Sequence, residues 1–473
     1  MATLVEGPGR KLCISGVAGD TSQAAVSSAA LLPMGNIMTT AFDRARVAIS
    51  PNRGAVIAVI AATIGLSFDL FDLFILLYVA PAVGKAFFPA NSPTLSLAAV
   101  YASFSVTLFM RPVGGALFGN YADHHGRKKA MIIAVTGVGM ATAAFGFLPT
   151  FPQIGISASI SFIILRLVQG VLVGGVFAST FTIGTESVAP HWRGLMSGLI
   201  TGGGAGLGSL YASIVYFIVS SFFPDDSFDT WGWRFMFFSG ILGSMFGLFI
   251  FRTLEESPTW KEMQAANGVA RTPLKTLLSA PHAATLAMNL PIITGIGILY
   301  YLTVGYMPTF LKLVTQTSNS TTSVILIVVN MITIIGMVAG GQLSEMIGRR
   351  KAFILCGLFN LVLLPGGYLL LGATRDIGSI TLYSLVITFF AMAAAGPGMI
   401  FLNERFPTAV RATGTSVSWN TGVAVGGTAP TFASLASGSI EGIPMALALF
   451  LAAGSLIYLL GALAVPETRG QFK

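Results

Sequence analysis

Twelve runs of roughly twenty or more mostly apolar residues, parted by short polar loops, dominate this chain of 473 residues. They fall at about 54–80, 95–119, 130–148, 157–185, 195–222 and 233–252, then at 284–311, 322–345, 352–372, 378–402, 412–436 and 443–465. About 20 apolar residues are what an α-helix needs to cross a hydrocarbon core of about 30 Å. Lipid offers the backbone no hydrogen bonds, so each run is expected to satisfy its own as a helix. Charged residues make up 9% of the chain, far below the roughly 25% of a soluble domain. The expectation is an all-α membrane protein of twelve transmembrane helices.

The runs form two sets of six. GNYADHHGRKK at Gly119 to Lys129 returns as GQLSEMIGRRK at Gly341 to Lys351, so that Gly119, Asp123, Gly126, Arg127 and Lys128 align with Gly341, Glu345, Gly348, Arg349 and Arg350. A second pair follows at nearly the same offset: Glu186, Pro190 and Arg193 against Glu404, Pro407 and Arg411. Loops duplicated half a chain apart imply two homologous halves, as in transporters built from parallel repeats. The division expected is an N-terminal tail 1–53, a six-helix bundle 54–252, a polar linker 253–283, a second bundle 284–465 and a short tail 466–473. Residues 24–34 are too short an apolar stretch to span and lack a small-residue cleavage site, so no signal peptide is expected.

Of the 26 Lys and Arg, only Lys85, Arg234, Lys312 and Arg375 fall in loops on the side opposite the N-terminal tail, and Arg111 and Arg166 lie within spans. That bias puts both termini in the cytoplasm. The formal charge of +8 is spread over short loops, which suits membrane orientation and not nucleic acid. Cys13 and Cys356 fit neither a disulfide framework nor a metal motif. No metal-binding His spacing, nucleophile elbow or phosphate loop is present, so neither an enzyme nor a cofactor is expected.

Four ionisable residues interrupt the apolar spans of the first half: Asp69, Asp72, Arg111 and Arg166. Each costs on the order of 2.5–3.5 kcal/mol at a helix centre, and four unpaired would cost roughly 10–14 kcal/mol. They must pair or meet water. A rise of about 1.5 Å per residue puts all four within about 7 Å of the midplane, and Asp69 and Asp72, three apart, share one helical side. The second half offers neutral mid-span groups, Tyr300, Tyr301, Asn330, Trp419 and Asn420, suited to hydrogen bonding or walling a solute.

The duplicated loop resembles the major facilitator superfamily. Further segments make the chain similar to its metabolite:H+ symporter branch: Asp69-Leu70-Phe71-Asp72, Arg111-Pro112-Val113-Gly114-Gly115, Arg166-Leu167-Val168-Gln169-Gly170, Trp231-Gly232-Trp233-Arg234, Tyr306-Met307-Pro308 and Glu404-Arg405-Phe406-Pro407. The first-span pattern of that branch reads Glu-Trp-Tyr-Asp, and Val176 stands where many of its members have Glu. The resemblance implies two six-helix bundles and transport of carboxylates, or of zwitterions such as proline and betaine, with protons.

The expected function is symport of a small carboxylate with a proton by alternating access. Asp69 and Asp72 would couple the proton, Asp69 being favoured as nearer the membrane centre. Arg111 and Arg166 would bind the anion beside Tyr300, Tyr301, Asn330, Trp419 and Asn420. With both acids ionised the four charges cancel, so an entering anion and a proton favour each other's binding. Gly119, Asp123, Arg127, Lys128, Glu186, Arg193, Glu345, Arg349, Glu404 and Arg411 would bias the alternating-access equilibrium. A zwitterion symporter and a proton-coupled exporter or exchanger are the alternatives. The partners expected are an anionic solute, a proton and the bilayer of a bacterial inner membrane, with a monomer as the working unit.

Overall fold

A computed structural model describes residues 53–125, 127–186, 202–224, 226–253, 279–280, 282–407 and 411–471. Nearly all of the N-terminal tail and linker, and Arg193, lie outside these residues, as do the surroundings of Gly119 and the side chains of Asp123, Arg127, Glu186 and Arg411.

Among the described residues every regular element is helical. The first half comprises α1 (Arg53–Tyr78), α2 (Ala80–Phe87), α3 (Pro93–His125), α4 (Arg127–Phe147), α5 (Ile156–Glu186), α6 (Gly204–Phe222) and α7 (Trp233–Thr253). The second comprises α8 (His282–Tyr300), α9 (Met307–Leu313), α10 (Asn319–Ile347), α11 (Arg349–Ala373), α12 (Ile377–Ala395), α13 (Gly398–Arg405), α14 (Arg411–Gly426), α15 (Ala429–Ser437) and α16 (Ile443–Ala464). Nine described helical stretches are long and apolar enough to cross a membrane, and α1 with α2 makes a tenth. Helix α7 and the pair α14–α15 take the two remaining places. The latter span reads less apolar because α14 carries Thr413, Thr415, Ser416, Ser418, Asn420 and Thr421. Large apolar side chains face outward, Val362 at 76% exposure and Phe147 at 75%, as a lipid-facing surface requires.

Several spans expected as single helices are broken, and proline accounts for the breaks. A bend of 64° separates α1 from α2, where Pro81 lacks an N–H and its ring would clash with the carbonyl four residues back. The corresponding span of the second half breaks at the same relative place, ahead of Pro308, through a π-turn over Tyr301–Gly305. The Leu302 carbonyl in that turn accepts 2.7 Å from Tyr368 Oη, so the irregular backbone stays satisfied inside the bundle. Pro397 and Pro430 mark the breaks between α12 and α13 and between α14 and α15.

The halves are joined by polar links on one side of the membrane, the side of the loop carrying Asp229. Tyr101 Oη bonds Thr309 Oγ1 at 2.8 Å and its ring stacks on Tyr306 at 5.1 Å. Ser105 Oγ donates to the Gly427 carbonyl at 3.1 Å. Asn330 Nδ2 donates to Tyr78 Oη at 2.8 Å and Ser213 Oγ at 2.7 Å, and Tyr216 Oη donates to Asn319 Oδ1 at 2.9 Å. Outermost, Asp229 accepts from Lys312 of the second half at 2.6 Å and from Lys85 of its own half at 2.9 Å.

Partial burial alone would raise the Asp229 carboxyl, but Lys312 and Lys85 more than offset it and hold it below the ordinary carboxylate value of 3.8. A depressed carboxylate adds stability that is complete above its unpaired pKa and lost as pH falls through the paired one. The Asp229 link therefore keeps constant strength from about pH 5 to 8 and fails only in acid below 3.8. We predict that Asp229→Asn shifts the closed-to-open ratio of this face about fivefold toward open at pH 7, about 1 kcal/mol. Alkylation of a cysteine placed behind the seal measures it, and the wild-type rate, divided at each pH by that of a fully exposed cysteine to remove the thiolate dependence, should be flat between about pH 5 and 8.

Candidate functional site

Asp69 and Asp72 sit mid-way along α1, at 2% and 3% exposure. They serve different neighbours. Asp69 Oδ1 accepts from Arg111 Nη2 of α3 at 2.9 Å, a pair with almost no exposure on either side chain. Asp69 Oδ2 and Arg111 Nε have no partner among the described atoms. Asp72 touches no cation. Its Oδ2 accepts from Gln169 Nε2 of α5 at 2.7 Å, and its Oδ1 from the Thr142 hydroxyl of α4.

Arg166 reaches Asp72 only through Gln169, donating from Nη1 to Gln169 Oε1 at 2.6 Å. Its guanidinium lies over Phe145 at 4.3 Å and Phe162 at 5.2 Å. The single four-charge cluster expected from depth is thus two units, a direct ion pair and an amide-bridged one. The reason is angular: residues three apart on a helix differ by about 60° in direction, enough for one acid to reach α3 and the other to face α4 and α5.

Small residues bring these helices together. A Cβ on Gly114 would run into the Val171 carbonyl, and one on Gly174 into the Arg111 carbonyl. Helices α3 and α5 therefore touch backbone to backbone, which lets Arg111 and Arg166 reach α1 from neighbouring positions.

A cavity of about 50 Å³ lies between the halves, on the other side of Tyr300 and Tyr301 from the polar seal. Leu66, Asp69, Leu70, Arg111 and Ala205 line it from the first half, and Tyr300, Tyr301, Met337, Trp419 and Val423 are among those lining it from the second. Tyr300 Oη has no hydrogen-bond partner there. Of the residues expected to bind solute, Arg111, Tyr300, Tyr301 and Trp419 line this cavity. Arg166 is fully buried inside the first half, Asn330 belongs to the polar seal, and Asn420 donates to the Ser416 carbonyl at 2.9 Å. A second, smaller cavity of about 20 Å³ lies within the first half behind α1, lined by Asp69, Asp72, Thr142 and Ser244 among others.

The loop motif is described in its second copy. Arg349 donates to Glu345 at 2.6 Å, to both carboxylate oxygens of Glu404 at 3.1 and 3.2 Å, and to Ser344 at 2.7 Å. All of these partners belong to the second half. The C-terminal segment joins them: Thr468 Oγ1 donates to Glu404 at 2.7 Å, and Glu467 accepts the backbone N–H of Arg349, Arg350, Thr468 and Arg469. Burial alone would raise Glu467, but those N–H groups hold its carboxyl below the ordinary range. Lys128 of the first copy is described and half-buried.

Sequence reasoning missed Gln169 and Thr142 as site residues. Gln169 was detectable in principle, three residues after Arg166 and so on the same helical side. Thr142 carried no signal beyond being a hydroxyl in an apolar run.

The family profile of the Major Facilitator Superfamily matches residues 57–430. The chain is 28% identical to the glycine betaine/proline/ectoine/pipecolic acid transporter OusA of Dickeya dadantii (strain 3937), over 87% of this chain and 83% of that protein. It is 29% identical to the inner membrane metabolite transport protein YhjE of Escherichia coli (strain K12), over 87% of this chain and 94% of that protein. Among solved structures, a D-xylose–proton symporter superposes with a TM-score of 0.68 at 19% identity, covering 88% of this chain and 99% of that one. This chain belongs to the Major Facilitator Superfamily. It is a multi-pass membrane transporter of twelve helices in two bundles, and not an enzyme.

Because α3 and α5 meet through glycine, we predict that Gly174→Ala forces the Arg111 backbone aside at a cost of about 1–3 kcal/mol. Thermal unfolding in detergent should register the loss together with reduced transport, and Gly366→Ala, a change on α11 into open space, should leave the packing of α3 on α5 intact.

Proposed function

We propose that this chain is a proton-coupled symporter of a small zwitterion, an amino acid or a betaine. The observation that carries the reading is the Asp69–Arg111 ion pair, which lines an aromatic-walled cavity between the halves and leaves one buried atom of each partner, Asp69 Oδ2 and Arg111 Nε, without a hydrogen bond. An anion needs only the cation. A site offering a guanidinium, a carboxylate and three aromatic rings suits a solute that carries both charges. The solute's carboxylate would take the free N–H of Arg111, and its cationic end would lie against Asp69 and the faces of Tyr300, Tyr301 and Trp419. The substrates that the OusA name gives, glycine betaine and proline among them, support the zwitterion alternative over the carboxylate expected from sequence.

The proton is assigned to Asp72. Depth along α1 favours Asp69, but Asp69 has a guanidinium in contact, whereas Asp72 meets only neutral donors. Asp69 and Asp72 lie three residues apart on α1, so a solute that engages the Asp69–Arg111 pair acts on the helix that carries the proton site. In this reading the bundles 54–252 and 284–465 rock about the cavity, the 253–283 linker and both tails are cytoplasmic, and the Asp229 face is external. The excess of basic residues on the tail side supports that orientation. The YhjE name supports a bacterial inner membrane.

Uptake into proteoliposomes tests the reading. Labelled proline or glycine betaine is expected to accumulate under an inward proton gradient, unaffected by excess citrate or 2-oxoglutarate. Accumulation of citrate or 2-oxoglutarate alone would refute it. Arg111→Lys keeps the charge but loses the planar fork, and is expected to lower kcat/KM at least about tenfold. Asp69→Asn is expected to weaken zwitterion binding, seen as a higher KM.

A further inference from the structure

The hydrogen bonds around Asp72 fit both a charged and a neutral carboxyl. Thr142 Oγ1 lies within bonding reach of three groups: Asp72 Oδ1, the Val138 carbonyl at 2.8 Å and Gln169 Nε2 at 3.1 Å. A hydroxyl has one hydrogen to give and two lone pairs to receive with, and its hydrogen rotates. Gln169 is anchored separately, its Oε1 taken by Arg166 and its Nε2 directed at Asp72 Oδ2. That amide cannot turn over without setting its NH2 against the guanidinium, so the Oδ2 side of Asp72 has a fixed donor. Only the Oδ1 side is adjustable.

We propose that Thr142 is a positioning residue for the coupling proton, a hydroxyl rotor that keeps Asp72 fully hydrogen-bonded in both of its protonation states. This rests on the assignment of the proton to Asp72. With Asp72 ionised, the Thr142 hydrogen points to Oδ1 and its lone pair receives Gln169. A proton arriving from water on the accessible side adds to Oδ1. The new O–H donates to Thr142 Oγ1, and the Thr142 hydrogen turns to the Val138 carbonyl. No heavy atom moves, and no buried polar group loses its partner, which would otherwise oppose one state. On departure of the proton the sequence reverses.

The charged groups acting on Asp72 are Arg166 of α5, Asp69 of its own helix and Arg111 of α3. Helix α4 presents Thr142, and α7 presents Gly240, Gly243 and Ser244 to the small cavity beside Asp72. The adjustable hydrogen bond at Asp72 therefore comes from a neutral group, which stabilises both states, while the charges set the balance between them. The short rise of a single helical turn between Val138 and Thr142 is what supplies the alternative acceptor, since a Thr hydroxyl readily bonds the carbonyl four residues back.

The test is the ratio of proton influx to solute influx in proteoliposomes, read with an internal pH dye and labelled proline in the same preparation. A purely structural role for Thr142 would lower both fluxes together and leave the ratio unchanged. Thr142→Val, which keeps the shape and removes the hydroxyl, is expected to lower the ratio at least about fivefold. Thr142→Ser keeps the rotor and is expected to hold the wild-type ratio, so loss of coupling in the Ser variant would overturn the proposal even if the Val variant does not fold. An unchanged ratio in Thr142→Val would overturn it as well. Asp72→Asn in the same assay separates the two readings. Loss of coupling there with an intact ratio in Thr142→Val rejects the rotor alone, whereas intact coupling in Asp72→Asn rejects the proton assignment beneath it.

Discussion

A buried ion pair, Asp69 with Arg111, is the constraint on which the arrangement of this protein depends. Two charges out of water cost several kcal/mol each, and their attraction repays that only when geometry is close and the remaining atoms find partners. Here the distance is 2.9 Å, but one oxygen of the acid and one N–H of the base are left over, buried in residues that line the cavity. The pair is thus held and incomplete. A solute that satisfies the leftover atoms gains from groups the protein has already desolvated. The glycines of α3 and α5 and the aromatic wall from α8 and α14 all serve to hold this one unsaturated pair between the halves.

The seal on the Asp229 face has the strength an alternating mechanism needs. Its side-chain links are Tyr101 to Thr309, Ser105 to Gly427, Asn330 to Tyr78 and to Ser213, Tyr216 to Asn319 and Lys312 to Asp229. At about 1 kcal/mol net for each, they amount to about 6 kcal/mol. Moving a two-state equilibrium from 1:99 to 99:1 takes about 5.5 kcal/mol. The seal is therefore firm enough to hold one facing state and weak enough to be exchanged for a comparable set on the other face. The described partners of the Arg349–Glu404–Glu467 network all lie within the second half and the C-terminal tail.

The fold was legible where the physics is one-dimensional. Twelve apolar runs and four charges in apolar surroundings are counts and spacings, and both reappear in the structure, as does the second copy of the duplicated loop. The breaks at Pro81 and Pro308 were readable one at a time but were absorbed into long runs, because a proline inside an apolar stretch can kink a helix without ending it. What the sequence withheld was direction around each helix. Helices apolar on all sides have no periodicity to show which side faces the cavity. Asp69 and Asp72 therefore looked like one cluster, Asn330 gave no sign that it would bond Tyr78 and Ser213, and Thr142 looked like nothing at all. Gln169 shows the same limit, since its bond to Asp72 crosses between helices whose contact is set by glycines far along the chain.

A solute-bound structure, solved with proline or glycine betaine at saturating concentration, tests the central claim most directly. The account predicts the solute's carboxylate within hydrogen-bond distance of the Arg111 guanidinium and its cationic end against Asp69, Tyr300 and Trp419. A solute bound elsewhere, with the Asp69–Arg111 pair undisturbed and its spare atoms still unpartnered, would contradict it.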